Sequence, residues 1–593
     1  MDVRAVLADS PLFAEVDPEV VNALADQADV VGLRGGERLF ALGEAASAVY
    51  VVASGRLRAL NEDGSLLGEI GRGEPIGEMG LLTDEPHRAT VVAVRDSILL
   101  RVEREALVAL FAANPVALLQ TVRVIVHRLR PTAQEKRRAR TRGQRTVAVI
   151  PAVPGLDVRP LAQQLVACLS PLGKTALLDP EAVNAALGEG AAAAPFEDGP
   201  RNERLMTWLA DQERQHRYLV YTCPPTAGPW ARRCMRQADR VLMVVPSGAM
   251  PMATVMIDEL GQSGSLASRD LLVLRPQDAD AGNVLGWRAR VNAVSHFYVR
   301  PGVADDLHSL ARAFTGRGVG LVLGGGGARG FAHLGLMRAL DELGIPIDAV
   351  GGSSMGAFFA ALRACGHDYD TMLSIARETF VDNNFLNDYL FPSVALVRGR
   401  KFVRRLHDIF GDHQIEHLRL PYFCVSSNLS RGRAEVHDRG PLYLWTATSM
   451  AVPGVAPPVV YREDLLVDGA LLNSLPTDIM KNLDRGLVVA SDVSTGGELR
   501  APGIEGPDPE GLFNWAADSK RPGLFSIMFR TATVTSETAR KVRAESADVY
   551  LRMPVTGIAL FDWKHFDAVI ERSYTHALEQ LTPLRDGLLA GEI

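Results

Sequence analysis

The sequence predicts a multi-domain protein: an N-terminal β-roll with flanking helices, a middle Rossmann-like α/β domain, and a second α/β domain at the C-terminal end. Three observations predict this. The 593 residues are enough for several domains. Short alternating strands lie between helical stretches in the first 130 residues, and two later regions each alternate apolar strands with helices. The predicted segments are 1–130, a basic linker at 131–145, 146–315, and 316–593.

The composition is that of a globular protein, with 47% hydrophobic and 22% charged residues. A net charge of −7 gives no support for a nucleic-acid partner. The five cysteines show no CxxC spacing, so neither disulfides nor a metal site is expected. We find no signal peptide and no apolar run of about 18–20 residues that could span a membrane. A cytoplasmic protein is therefore expected, with a monomer and a homo-oligomer as alternatives.

In the first segment, short strands are predicted at Ala48–Val52, Leu57–Asn61 and Thr90–Val94, ahead of an amphipathic stretch at Arg104–Arg130. Six of the ten residues in Lys136–Arg145 are basic. We interpret this stretch as a solvated linker, and contact with anionic lipid headgroups is the alternative.

The middle segment contains runs typical of buried parallel strands. Its first strand is followed by Ala-Val-Pro-Gly-Leu-Asp-Val-Arg, where a phosphate-binding loop would need GxxxxGK[ST]. Gly173-Lys174-Thr175 does not supply that loop, because the motif's first glycine would fall at Cys168. We therefore expect a degenerate nucleotide-binding-like domain that acts as a structural or regulatory spacer. The predicted strands are Thr146–Pro151, Tyr218–Thr222, Arg240–Val245 and Asp270–Leu274.

A glycine-rich turn opens the last segment. The strand Val319–Leu323 runs into Gly324–Gly330, and a helix is predicted at Phe331–Leu343. Such a turn directs several backbone N–H groups, and the positive end of the helix dipole, toward one point. Because Gly325–Gly330 also fits GxGxxG, this loop alone is compatible with a dinucleotide site or an oxyanion hole.

The next strand favours the oxyanion hole. Ile345–Val350 leads into Gly352-Ser353-Ser354-Met355-Gly356, a G-x-S-x-G motif between a strand and a helix predicted at Ala357–Cys365. A dinucleotide-binding unit would instead place an acidic residue at the end of this strand. The motif therefore predicts that Ser354 is a nucleophile.

A nucleophilic serine needs a base. Asp468 follows the short strand Leu465–Val467 and precedes Gly469, which suits a carboxylate turned toward a neighbouring strand, although an ordinary Asp-Gly turn is the alternative. A Ser-His-Asp triad would need His565 or His576, but both lie in a helical-looking tail. We expect His333 to pack within its helix, and we favour the Ser-Asp dyad.

Gly325–Gly330, Gly352–Gly356 and Asp468–Ala470 together resemble the patatin-like phospholipase family, as does the stretch Ala447–Pro458. The resemblance implies a three-layer α/β/α hydrolase fold, no required cofactor, and hydrolysis of glycerolipid acyl esters by a phospholipase or lysophospholipase. By the same resemblance Ser354 attacks the carbonyl and Asp468 accepts its proton. It further implies an oxyanion hole at Gly325, Gly326 and Gly327, supported by Arg329, Gly330, Gly352, Gly356 and Gly469.

Gly77–Leu82 followed by Pro86–Thr90 resembles the phosphate-binding cassette of cyclic-nucleotide-binding domains. The resemblance implies a cyclic AMP-like effector, with Arg88 neutralising the phosphate and Glu78 binding the ribose. Arg88 follows Glu78 by ten residues, the register of the bacterial catabolite activator protein, whereas kinase-type domains place the arginine where this chain has His87. The predicted site is Gly77, Glu78, Arg88, Ala89 and Thr90.

The order of the domains resembles neuropathy target esterase relatives. It implies a serine esterase acting on phospholipids or lysophospholipids, peripheral at the inner membrane face and regulated by a cyclic nucleotide. The alternative is a nucleotide-responsive regulatory protein with an inert hydrolase-like domain. A dinucleotide-dependent oxidoreductase ranks third.

Overall fold

The computed structural model describes residues 2–592 except for two long stretches, 124–144 and 495–526, and some shorter ones. The shorter ones are 14–15, 84, 115–117, 120–121, 197–198, 278, 384, 386–387, 390–393, 528–530, 532–535, 537–538 and 540. The chain forms two compact units, Met1–Thr315 and Gly316–Ile593.

The first unit begins with an antiparallel β domain made of two four-stranded sheets, ordered β1-β8-β3-β6 and β2-β7-β4-β5. The three strands predicted here are confirmed to within two residues. The strands are β1 Asp29–Leu33, β2 Arg38–Phe40, β3 Ala48–Ser54, β4 Leu57–Leu60, β5 Leu66–Ile70, β6 Pro75–Ile76, β7 Thr90–Ala93 and β8 Ser97–Glu103. The helices are α1 Val3–Ala8, α2 Pro18–Ala25, α3 Glu78–Thr83 and α4 Arg104–Ala113.

The amphipathic stretch predicted at Arg104–Arg130 is helical over Arg104–Ala113, and much of its remainder falls outside the described residues. The basic linker also falls outside them, apart from Arg145.

The second domain of this unit is a parallel six-stranded sheet with helices, ordered β10-β11-β9-β12-β13-β14. The four predicted strands occupy its interior, and their continuous apolar runs reflect burial on both faces. The two strands that sequence reasoning missed, β10 and β14, lie at the edges and are more polar or more exposed. The strands are β9 Thr146–Pro151, β10 Thr175–Leu178, β11 Tyr218–Thr222, β12 Arg240–Pro246, β13 Ser268–Leu274 and β14 Ser295–Val299. The helices are α5 Arg159–Leu169, α6 Pro180–Leu187, α7 Gly199–Gln215, α8 Pro229–Gln237, α9 Val255–Gln262, α10 Val284–Val291 and α11 Ala304–Thr315.

A buried ion-pair network joins the two domains of the first unit. Asp239 Oδ1 accepts hydrogen bonds from Arg56 Nε (3.1 Å) and Arg95 Nε (2.8 Å), and the Asp239 side chain is almost fully buried. Its other oxygen accepts the backbone N–H groups of Arg145 and Thr146, where β9 begins. Burial alone would raise the pKa of Asp239, but the two arginines hold it well below its usual value. Each arginine also has a second buried partner, since Arg56 pairs with Glu69 and Arg95 pairs with Glu213.

Asp239→Ala should lower the free energy of unfolding by about 2–3 kcal/mol, because the backbone N–H groups of Arg145 and Thr146 lose their acceptor while Arg56 and Arg95 keep only Glu69 and Glu213. The matched control is Asp26→Ala, which removes the exposed partner of Arg4 and should cost less than about 1 kcal/mol. Urea unfolding followed by circular dichroism measures both. Equal midpoints for the two variants would show that the network contributes no stability.

The second unit is a mixed α/β domain. Its sheet is ordered β19-β20-β17-β16-β15-β21-β22, with β18 paired to β17. Strands β15, β16, β17, β21 and β22 run parallel, whereas β18 and β20 run antiparallel to β17. The strands are β15 Gly318–Leu323, β16 Ala349–Ser353, β17 Tyr422–Asn428, β18 Arg433–His437, β19 Val459–Tyr461, β20 Asp464–Asp468, β21 Gly486–Asp492 and β22 Val549–Arg552. The helices are α12 Ala332–Glu342, α13 Met355–Ala364, α14 Tyr369–Arg377, α15 Arg400–Phe410, α16 Leu442–Ser449, α17 Thr477–Asn482, α18 Phe566–Leu581 and α19 Arg585–Ala590.

Side chains pack on both faces of this sheet. In β15, Leu321 and Leu323 join the large cluster that includes α12 and α13, whereas Val322 points to the opposite face and packs with Leu475 and Met480. The strand predicted at Ile345–Val350 begins later, at Ala349, where pairing with Gly320 starts. None of the helices within the described part of the chain is both long and apolar enough to cross a membrane.

Candidate active site

Ser354 occupies a sharp turn between β16 and α13. Its backbone has φ 52° and ψ −123°, a conformation that is rare for a residue with a side chain and typical of a nucleophile elbow. The flanking glycines allow the close approach that the turn needs. A Cβ on Gly356 would lie 2.1 Å from the carbonyl oxygen of Leu323, and one on Gly352 would lie 2.6 Å from the carbonyl carbon of Gly356.

The structure brings Ser354 and Asp468 into direct contact. Ser354 Oγ donates a hydrogen bond to Asp468 Oδ2 at 2.6 Å, and Asp468 Oδ1 accepts the backbone N–H of Ala470 at 2.8 Å. Asp468 is only 1% exposed. This burial raises the pKa of the Asp468 carboxyl to about 6, against the opposing effect of the hydrogen bonds from Ser354 and Ala470. A carboxylate with that pKa can accept a proton near neutral pH.

None of the three histidines that we considered bonds to the pair. His333 is fully buried, and its ring nitrogens each lie 2.9 Å from a partner, Ser491 Oγ and the carbonyl oxygen of Gly324. Burial lowers the pKa of His333 to about 4, so its ring is neutral and fixes the glycine loop. His565 lies beside Asp562, and His576 is half-buried on α18. Within the described residues, no imidazole hydrogen-bonds to Ser354 or Asp468.

The glycine loop leaves two candidate oxyanion donors. The N–H of Gly325 is already engaged, since it donates to the carbonyl oxygen of Ser474 at 3.0 Å. No acceptor among the described residues takes the N–H of Gly326 or Gly327. Gly327 also lines the pocket beside Ser354 and has φ +56°. Of the three glycines proposed from the sequence, Gly326 and Gly327 are therefore free to stabilise an oxyanion.

The other residues expected to support the site shape the loop and its surroundings. Arg329 Nε donates to the carbonyl oxygen of Gly326 at 3.2 Å. A Cβ on Gly330 would lie 2.3 Å from Met355 Cγ, and a Cβ on Gly469 would lie 2.3 Å from the carbonyl oxygen of Val425. These positions are therefore limited to glycine by close packing.

Ser449 is a site residue whose role sequence reasoning missed. Its hydroxyl accepts the backbone N–H of Ser354 at 3.0 Å and donates to the carbonyl oxygen of Val425 at 2.6 Å. It therefore ties the nucleophile's turn to β17. Ser449 lies in the stretch Ala447–Pro458, which carries part of the family resemblance, but only the fold shows what its hydroxyl contacts.

A pocket of about 550 Å³ opens beside Ser354. Its walls are mostly apolar, as is usual for pockets that bind small molecules. One wall comes from residues between 447 and 459, and another comes from α15 with Phe380, Phe561 and Trp563. Sequence reasoning did not single out this second wall, because its parts are far apart in the chain and carry no motif.

The candidate cyclic-nucleotide site is a smaller pocket of about 150 Å³. Gly77, Glu78, Arg88 and Ala89 all line it, but Thr90 does not, and the Thr90 hydroxyl accepts the backbone N–H of Leu42 instead.

The basic side chains of this pocket have other partners. The Arg88 side chain is 66% exposed and pairs with Glu85. His87 stacks on Phe40 with ring centroids 3.5 Å apart, and its partial burial lowers its pKa. An incoming phosphate would therefore have to compete with Glu85 for Arg88.

Comparison with known proteins agrees with this architecture. Residues 321–481 match the model of patatin-like phospholipases, 143–316 match the neuropathy target esterase family P-loop like domain, and 30–114 match the cyclic nucleotide-binding domain. Residues 321–481 thus belong to the patatin-like phospholipase family, and residues 143–316 to the neuropathy target esterase family.

Two curated relatives illustrate this membership. Neuropathy target esterase sws of Drosophila melanogaster is 29% identical over 92% of this chain and 42% of its own length. Patatin-like phospholipase domain-containing protein 6 of Homo sapiens is 30% identical over 92% of this chain and 44% of its own length. The chain thus spans less than half the length of these relatives. A solved N-terminal domain of a transcriptional regulator from Streptomyces coelicolor A3(2) is 32% identical and covers 21% of this chain and 92% of its own, with a TM-score of 0.19.

If Asp468 is the base of this patatin-like site, activity on a soluble ester should fall about tenfold per pH unit below pH 6, where the carboxylate becomes protonated. Initial rates between pH 4.5 and pH 8 would measure this, and the apparent pKa should hardly change with temperature, as is usual for a carboxyl group. A rate independent of pH over this range, or an apparent pKa with the strong temperature dependence of an imidazole, would contradict the assignment of Asp468.

Proposed function

We propose that the chain is a serine esterase that hydrolyses acyl ester bonds of phospholipids or lysophospholipids with a Ser354–Asp468 dyad. The observation that carries the proposal is the 2.6 Å hydrogen bond from Ser354 Oγ to Asp468 Oδ2 at a strand-to-helix elbow. The membership of residues 321–481 in the patatin-like phospholipase family supports it.

In the proposed acylation step, Asp468 Oδ2 takes the proton of Ser354 as Oγ attacks the ester carbonyl carbon. The negative charge that develops on the carbonyl oxygen is stabilised by the N–H groups of Gly326 and Gly327. Collapse of the tetrahedral intermediate breaks the bond to the alcohol oxygen, and Asp468 returns the proton to the leaving alcohol. The products of this step are an acyl-Ser354 ester and a free alcohol.

Deacylation repeats the same chemistry with water. Asp468 removes a proton from the water that attacks the acyl-Ser354 carbonyl, and then returns it to Ser354 Oγ. The fatty acid leaves, and the dyad is restored. The apolar walls of the pocket suit the acyl chain throughout, since they remove hydrocarbon from water.

We also propose the segments 1–130, 131–145, 146–315 and 316–593 as the domains, with the middle one as a structural or regulatory spacer. Because the proposed substrates are membrane lipids, the proposed place of work is the inner face of the membrane, reached from the cytoplasm. The five cysteines are all free thiols, which is typical of that reducing compartment.

The dyad can be tested with a fluorophosphonate probe, which reacts with activated serines. Wild-type protein should be labelled, Ser354→Ala should not be, and Asp468→Asn should be labelled at least about 10³-fold more slowly because the base is lost. Ser353→Ala is the matched control, since this neighbouring buried hydroxyl has no hydrogen-bond partner in the described structure. Folded wild-type protein that resists the probe would instead support a regulatory protein with an inert hydrolase-like domain.

We further propose that a cyclic nucleotide such as cyclic AMP binds the N-terminal domain as an effector. The match of 30–114 to the cyclic nucleotide-binding domain supports this, as does the pocket shared by Gly77, Glu78 and Arg88. In this proposal Arg88 exchanges Glu85 for the cyclic phosphate, and Glu78 receives the ribose hydroxyl.

Two substitutions test that exchange in opposite directions. Arg88→Ala should weaken cyclic AMP binding at least about tenfold, because a charge-assisted hydrogen bond is lost. Glu85→Gln should strengthen it severalfold, because the competing carboxylate is removed. Isothermal titration calorimetry of the full chain measures both. Identical dissociation constants for wild type and the two variants would remove Arg88 from the site.

A further inference from the structure

Apolar side chains project into solvent on one side of the mouth of the active-site pocket. In the segment 394–398, Val394 and Leu396 are 63% and 47% exposed and alternate with buried Ala395 and Val397. The segment is held in place, since the N–H of Leu396 donates to the carbonyl oxygen of Gly454 at 2.9 Å. The exposed side chains are therefore presented by a fixed stretch of backbone.

Other residues at the mouth are apolar as well. Val459 lines the pocket, and the next residue of this edge strand, Val460, is 72% exposed. Phe561 lines the pocket and is also partly exposed. Exposed apolar groups beside a pocket are typical of an interaction surface.

Three arginines lie at the same mouth. Arg398, Arg400 and Arg404 all line the pocket and are exposed, and none of them forms an ion pair with any residue that the structure describes. Asp388, which lies nearby, uses its carboxylate to accept the backbone N–H groups of Gly399 and Lys401.

Several surface arginines elsewhere in the unit form ion pairs, whereas Arg552 and Arg572 are exposed and form none with the described residues. Arg431 pairs with Asp464, Arg433 with Glu435, and Arg439 with Asp438. At the mouth, by contrast, Arg400 and Arg404 stand one helical turn apart on α15, a like-charge spacing that destabilises a helix. These three positive charges therefore have no ion-pair partner among the described residues, although Asp388 places one negative charge beside them.

We propose that this mouth face, formed by Val394, Leu396 and Val460 with Arg398, Arg400 and Arg404, docks on an anionic phospholipid bilayer. The inference rests on the proposed esterase function and specifies where that enzyme meets its substrate. The valine and leucine side chains enter the boundary between headgroups and acyl chains, while the arginines bind lipid phosphates. Docking in this way places the pocket mouth against the lipid layer, so that an ester can reach Ser354 without crossing water.

A second copy of the chain is a poorer occupant of the mouth face. In a two-fold symmetric dimer the same patch meets itself, so three arginines of one copy would face three of the other. Such like-charge contacts oppose association. A bilayer carrying anionic headgroups has the complementary charge.

The test is sedimentation of the full-length Ser354→Ala protein with vesicles, so that binding is measured without turnover. We expect binding to mixed phosphatidylcholine–phosphatidylglycerol vesicles that weakens with salt, and much weaker binding to pure phosphatidylcholine. Adding Arg398→Gln, Arg400→Gln and Arg404→Gln together should reduce partitioning about 100-fold. Adding Val394→Ser and Val460→Ser should reduce it about tenfold or more.

The matched control is Arg431→Gln, Arg433→Gln and Arg439→Gln, which removes the same charge from paired surface arginines and should leave binding unchanged. Equal binding by the mouth variants and this control would overturn the proposal. The proposal would also be wrong if only a Lys136→Gln, Arg137→Gln, Arg138→Gln variant of the basic linker lost vesicle binding. A change of oligomeric state in the mouth variants, seen by light scattering with vesicle binding intact, would assign the face to a second copy instead.

Failure of the esterase proposal gives a different pattern. It would appear as wild-type protein that binds mixed vesicles but cleaves no soluble short-chain ester. If the wild-type protein cleaves the soluble ester but the mouth variants bind vesicles as well as the control does, the esterase proposal stands and the docking proposal is wrong.

Discussion

The second unit depends on one costly requirement: a carboxylate must be kept in a nearly dry site, 2.6 Å from a serine hydroxyl. Burial disfavours the charged form, and only two hydrogen bonds, from Ser354 and Ala470, are recorded on the Asp468 carboxylate in the described structure. The site is also crowded. A Cβ on Gly325 would come within 3.1 Å of Ala470 Cβ and 3.3 Å of Ser354 Cβ. The glycine-rich sequence around the dyad follows from this crowding.

Sheet register explains how residues 114 positions apart in sequence come to meet. Ser353, at the end of β16, pairs with Val425 of β17, and Ser426, the next residue of β17, pairs with Asp468 of β20. The nucleophile and the carboxylate therefore lie in one row that crosses three strands. A shift of one residue in either pairing would turn the Asp468 side chain to the opposite face of the sheet.

Sequence reasoning located the parts of the site that are locally encoded. The elbow around Ser354 and the loop at Gly324–Gly330 were identifiable because each needs glycines at fixed spacing beside a strand. Features built from distant segments were not identifiable. Ser449 acts through a hydrogen bond to the Ser354 backbone. Gly325 is not a free oxyanion donor, because its N–H already donates to the carbonyl oxygen of Ser474.

The same limit applies to the fold. Interior strands of the parallel sheet gave clear apolar runs, whereas the edge strand Thr175–Leu178 has only four mostly half-buried residues and the edge strand Ser295–Val299 begins with Ser-His. The match of 30–114 to the cyclic nucleotide-binding domain agrees with the cassette resemblance at Gly77–Leu82. Only the structure shows Arg88 paired with Glu85, since that contact depends on side-chain conformation.

The shared carboxylate of Asp239 has a consequence for how this chain can be rearranged. Arg56 and Arg95 come from the antiparallel domain, while the backbone donors of Arg145 and Thr146 belong to the start of the parallel sheet. A foreign β domain grafted in place of residues 1–113 would inherit a pocket shaped for two guanidinium groups and would have to supply both at the same positions. The N-terminal β domain therefore cannot be exchanged on its own, because two of its arginines pair with a buried carboxylate of the neighbouring domain.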